Sequence, residues 1–264
     1  MDFSFQVIAV SVVAVGVIGF MKGAFGGGFA IIGIPLLALV MDPIKAGSLL
    51  APIFVATDFY AFRYWRPRTW SRPDLAYLVP GLLVGVVAGY VVLRHVNRHV
   101  VEILMAVTTL LFAWLWWRGG AVAGQRPRSK NKALLAGSAS GITTMVAHSG
   151  GPPLAMYLLP LGLSKEMYGG TTSMFFTIGN LLKAGPWLAV GELTAGFWGL
   201  VAICLPAAFF GVWAGWRLHH RLNQAQMVRA CYGLLVVTAV KLLWDGVVGA
   251  MSCLLYTSPS PRDS

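Results

Sequence analysis

The sequence predicts an all-α polytopic membrane protein made of two inverted repeats. Each repeat has about four to five membrane segments, with Gly-rich broken or re-entrant helices near the midplane. Three observations lead there. The 264-residue chain is 57% apolar and 11% charged, with a mean hydropathy of +0.72, and several apolar runs approach the roughly 17–25 residues that a spanning helix needs. Two apolar stretches are interrupted by helix breakers, at Gly23-Ala24-Phe25-Gly26-Gly27-Gly28 and at Ser149-Gly150-Gly151-Pro152-Pro153. The interruptions recur about 125 residues apart. Gly89-Tyr90 and Gly215-Trp216 recur at about the same spacing, each followed at the same distance by an asparagine, Asn97 or Asn223.

Apolar segments fall at about 4–21, 29–41, 46–62, 75–93, 100–117, 133–147, 154–163, 167–190, 195–216 and 226–249. That is five per half, some too short for a straight crossing. The short ones are either thin crossings or re-entrant hairpins, and both readings leave an odd number of crossings per half. An odd number turns the second half upside down relative to the first. Residues 1–117 form the first transmembrane repeat, 118–132 a basic cytoplasmic linker and 133–252 the second repeat. The linker, RGGAVAGQRPRSKNK, is polar and has no room for a folded domain. Residues 253–264 resemble a translated sequencing adapter and are excluded, so the genuine C-terminus is expected to be missing. The N-terminus lacks a basic region and a cleavage site, and reads as a retained first helix.

The net charge of +11 would suit a nucleic-acid binder, but its distribution argues otherwise. The basic residues sit in short loops between apolar runs. Assigned to one side are Lys22, Arg63, Arg66, Arg68, Arg72, Arg118, Arg126, Arg128, Lys130, Lys132, Lys165, Arg217 and Arg221. Lys45, Arg94, Arg98, Asp42 and Glu192 fall on the other. The positive-inside rule then puts the N-terminus outside and the linker inside the cytoplasmic membrane. Three cysteines without paired spacing support neither a disulfide framework nor a metal site.

Helix breaks at membrane depth free backbone groups that lipid cannot satisfy, so they belong where protein or a watery cavity surrounds them. Consecutive glycines cost a helix about 1 kcal/mol each relative to alanine. In return, Gly26, Gly27 and Gly28 on one side and Ser149, Gly150 and Gly151 on the other offer backbone N–H groups to an anion. The alternative is that these glycines only let helices pack closely. His148 is either a structural residue or a substrate donor or proton carrier. Thr143, Thr144, Thr171, Thr172 and Ser173 either line a polar path or bond their own helix. Asp58 and Lys183 are intramembrane charges that should face a partner or water, although Asp58 could be interfacial and Lys183 could snorkel. At the repeat offset Asp58 falls opposite Asn180. Gly23–Gly28 follows no strand, so it is not a nucleotide loop, and there is no Gly-x-Ser-x-Gly, His-Glu-x-x-His or P-loop. No enzyme constellation and no cofactor is expected.

GAFGGGFAIIGIPLL in the first half, with AHSGGPPLAMYLLPLGL and GTTSMFFTIGNLLK in the second, resemble the TauE/SafE family of membrane permeases, the sulfite-exporter-type proteins. The resemblance spans about residues 5–249. It implies a permease for sulfur-containing or carboxylated organic anions. With no ATP motif in the sequence, the leading expectation is a secondary permease for sulfite, a sulfonate or a carboxylate, with a proton or ion gradient as a candidate partner. The family's second break often reads Gly-x-Gly-Gly-Gly, where this chain has Ala147-His148-Ser149-Gly150-Gly151-Pro152. The alternative function is a non-transport accessory protein or an intramembrane enzyme.

Overall fold

The computed structural model describes residues 3–28, 36–37, 40–41, 43–95, 103, 107, 110, 114, 127–148, 150–190 and 193–256. The expected segment at 100–117 lies largely outside the described residues, as do most of 29–41, linker residues 118–126, Ser149, Glu192, and 257–264 of the excluded tail. What is described is helical, with no strand among the described residues.

Helix α1 (Phe5–Phe25) opens on Ser4, whose hydroxyl accepts from the Val7 amide at 3.4 Å, and closes on Gly26 in the left-handed region. Helix α2 (Pro43–Ala61) starts on a proline, where the missing N–H costs nothing. Helix α3 spans Arg72–His95. Helix α4 (Lys130–Ala147) is capped by Ser129 and ends at His148 with φ 52°. Helix α5 (Gly151–Leu158) starts afresh with Pro152 and Pro153 in its first turn. The interruption that the two prolines predict is therefore present, as two separate helices. Helix α6 (Lys165–Val190) begins after Ser164, which receives the Met167 amide at 3.2 Å. Helix α7 (Ala195–Arg221) is capped by Thr194. Helix α8 (Gln224–Tyr256) has a reciprocal cap, in which the Gln226 amide reaches the Asn223 side chain at 2.8 Å and the Asn223 amide reaches Gln226 at 2.9 Å.

Two helix pairs run face to face through small residues. On α1, an added Cβ at Gly19 or Gly23 would strike the carbonyls of Ala208 or Val212. On α7, one at Gly211 or Gly215 would strike those of Gly16 or Phe20. The same geometry joins Gly81, Gly85 and Gly89 of α3 to Leu134, Ser138 and Ile142 of α4. These are the small-xxx-small seams through which membrane helices approach most closely. Helices α2 and α6 pack on each other between the pairs. One apolar cluster joins α3, α4, α5 and α6 around Leu78, Leu82 and Phe175. A second joins α1, α2 and α7 around Ile18, Leu50 and Cys204.

Four described helices contain a stretch long and apolar enough to cross a membrane: α1, α3 over Arg72–Val91, α7, and α8 over Tyr232–Gly249. Valines at 84, 87 and 91 on α3 and Trp244 on α8 are exposed, a lipid-facing pattern. The chain is an integral membrane protein. Helices α2, α4 and α6 are not among the four, and they carry the buried Asp58, Thr144, Asn180 and Lys183. Their polar residues lower the average because they face one another.

Candidate functional site

The site forms where the two breaks meet. Gly28, just past the end of α1, and Gly151, the first residue of α5, touch backbone to backbone, so that a Cβ on Gly151 would overlap the Gly28 carbonyl. Gly26 and Gly27 have φ of 76° and 96°, a conformation that side chains resist and glycine accepts. Around this contact lies a small cavity of about 20 Å³, lined by Ile18, Lys22, Gly27, Gly28, Phe54, Thr144, His148, Gly150, Gly151, Phe176, Asn180 and Lys183. It is about large enough for one water.

Its polar wall is a chain of buried groups. Lys22 pairs with Asp58, and both are almost fully buried. The Asn180 amide donates to the other oxygen of Asp58 at 2.8 Å. Lys183, also buried, donates to the Thr144 hydroxyl at 3.1 Å and lies 5.0 Å from the centre of the Phe54 ring. His148 stands edge-on to Trp187 at 4.4 Å and 6.0 Å from Phe54. With both lysines charged, two cations face one carboxylate, and the cavity carries a net positive charge in a medium that screens little.

Of the residues singled out in the sequence, Gly27, Gly28, Thr144, His148, Gly150, Gly151, Asn180 and Lys183 line the cavity, and Asp58 braces it through Lys22 and Asn180. Asp58 is buried, and the Lys183 ammonium turns inward to Thr144. Ser149 lies outside the described residues. Gly26 faces the Gly169 carbonyl instead of the cavity. Thr171 accepts the Ser71 amide at 2.8 Å, fastening the start of α3 to α6. Thr172 is buried beside Gly26 and Gly28 and is not a liner. The hydroxyls divide, as Thr143 bonds the Ala139 carbonyl of its own helix while Thr144 turns to Lys183.

Lys22 is the principal correction. Read along the sequence it is a loop charge that sets topology. In the structure it occupies the last turn of α1, 2% exposed, with Asp58 as counter-charge. Phe54 and Phe176 are liners that sequence reasoning passed over. The repeat spacing could have found them, since Phe54 and Phe176, Lys22 and Thr144, and Asp58 and Asn180 are all 122 residues apart.

The sequence of residues 11–242 matches the family model described as sulfite exporter TauE/SafE. The chain belongs to the TauE/SafE family. No curated protein and no solved structure matches it. The family is one of transporters, and in this TauE/SafE member the match covers both helix breaks and every residue of the cavity wall.

Proposed function

We propose that this TauE/SafE protein is a secondary permease for a small anion: sulfite, a sulfonate, or another sulfur-containing or carboxylated organic anion. The observation that carries this reading is the buried cavity at the meeting of the breaks, where Lys22 and Lys183 face the single carboxylate of Asp58. An uncompensated buried cation is costly in a membrane and calls for an anionic partner. The Gly150 and Gly151 amides add N–H groups at the start of α5, where the helix dipole favours negative charge.

The architecture that suits this task is an inverted repeat. The first helix of each half (α1, α4) packs on the fourth apolar segment of the other half (α7, α3), and the third segments (α2, α6) pack on each other. A two-fold axis in the membrane plane would produce that exchange. It would also produce residue pairs at one constant spacing around a single cavity. On this reading, rocking of the halves exposes the cavity to alternate sides of the membrane.

Flux of labelled sulfite, taurine and acetate into proteoliposomes tests the proposal. Wild-type vesicles should take up at least one of these anions above protein-free vesicles. Transport of cations with no anion moved would refute it.

A further inference from the structure

We propose a second anion site, separate from the transport cavity, formed by the turn Arg63–Thr69 and the last turns of α7, which holds the phosphate of an anionic phospholipid headgroup. A cleft of about 470 Å³ is lined by Arg63, Tyr64, Arg66, Arg68 and Trp216, a size within the range of about 300–1,000 Å³ typical of ligand pockets. Three of its five walls are guanidinium side chains, the group whose planar fork matches phosphate oxygens. Among the described residues the ion pairs are Lys22–Asp58, Arg128–Asp74 and Lys241–Asp245, so none of the three arginines has a carboxylate partner there.

The turn is built to hold these charges together. The Thr69 amide and hydroxyl both donate to the Arg66 carbonyl at 2.8 Å. Between the arginines, Trp65 is buried against Gly169, and its indole N–H donates to the Lys22 carbonyl at 3.3 Å. Like charges gathered on an anchored turn repel one another unless an anion joins them, and the cleft leaves room for one.

The aromatic wall favours lipid over free phosphate as the source. Tyr64 lies against Trp216 at 4.7 Å, the residue pair enriched at headgroup depth. One turn back along α7, Trp213 is exposed with the Arg217 guanidinium 5.0 Å over its ring, and Phe210, still further back, is 66% exposed. A phospholipid with its phosphate among the arginines would lay its acyl chains along that exposed face. Each basic residue near an anionic surface contributes on the order of a fivefold gain in binding.

Native mass spectrometry of the full-length protein in detergent, titrated with phosphatidylglycerol or phosphatidylcholine, tests the site. Wild type should retain phosphatidylglycerol about tenfold more strongly than phosphatidylcholine. R66Q/R68Q should lose that preference, R66K/R68K should keep most of it, and K45Q, at the opposite end of the bundle, should match wild type. Circular dichroism confirms that each variant is folded. Should R66Q/R68Q retain phosphatidylglycerol as wild type does, the site is refuted. Should inorganic phosphate, added to lipid-free protein, protect wild type but not R66Q/R68Q from thermal unfolding while no lipid preference is seen, the ligand is a soluble phosphate and the lipid assignment falls. Neither result touches the transport reading, which is judged by flux.

Discussion

Among the described residues Lys22 and Asp58 are each other's ion-pair partner, and both are almost fully buried, so removing the carboxylate alone should hurt more than removing both groups. Asp58→Asn keeps the shape and a hydrogen-bonding group for Asn180 but leaves the Lys22 ammonium unpaired. A broken buried pair typically costs about 3–5 kcal/mol. The expected order of thermal stability in detergent is wild type, then K22M/D58N, then D58N, which leaves two cations with no carboxylate between them. Strictly additive losses would mean that the two groups do not depend on each other. Lys183 differs, because its described polar partner is a neutral hydroxyl, Thr144. Lys183→Met removes the excess positive charge at similar length. It should raise the KM for the transported anion about tenfold or more, with the folded protein intact. An unchanged KM would reduce the lysine to a prop for Thr144.

At the scale of elements, the glycines fall into two groups that look alike in sequence. Gly85 on α3 sits against the Ser138 carbonyl of α4, whereas Gly185 on α6 and Gly199 on α7 have nothing within 4 Å of an added Cβ. Gly85→Ala should therefore force α3 and α4 apart and lower the unfolding temperature markedly. Gly185→Ala and Gly199→Ala should be neutral or stabilising by up to about 1 kcal/mol through helix propensity. A thermal-shift series over the three variants decides it, and equal losses at all three would show that the seam carries no packing role. The same contrast explains what could be read from the chain. The break at Gly150–Pro153 was legible because proline chemistry is local, and Asn180 was legible as the counterpart of Asp58 because a duplication leaves a fixed spacing. Lys22 was not legible, because a cation at the end of an apolar run looks interfacial until Asp58 is folded against it. Thr171 misled for a related reason, as its hydroxyl is claimed by the Ser71 amide from 100 residues away. Gly26 was grouped with its neighbours, yet only Gly27 and Gly28 turn toward the cavity.

At the scale of the whole molecule, many of the basic residues among those described gather at one end of the helices. Arg128 bridges to Asp74 at the start of α3, and the Lys165 ammonium donates to the His219 and Leu222 carbonyls that close α7. The basic turn Arg63–Arg68 adjoins that end of α7 through Trp216. At the other end Phe3, Lys45 and Thr194 share one small cleft. The 27 residues of α7 separate the ends by about 40 Å, enough to cross a bilayer. If the basic end is cytoplasmic, as the positive-inside rule requires, Ser129 lies inside and Thr194 outside. In a background of C204A, C231A and C253A, an impermeant maleimide added to intact cells should label T194C and leave S129C untouched until the membrane is opened. Reaction of S129C after permeabilisation is the needed control, since Ser129 caps α4 and is half-buried. The reverse pattern would invert the protein in the membrane and place the arginine turn at the outer leaflet. Labelling of both sites from outside would mean that the two ends do not face opposite compartments, and the inverted-repeat reading would fail with it.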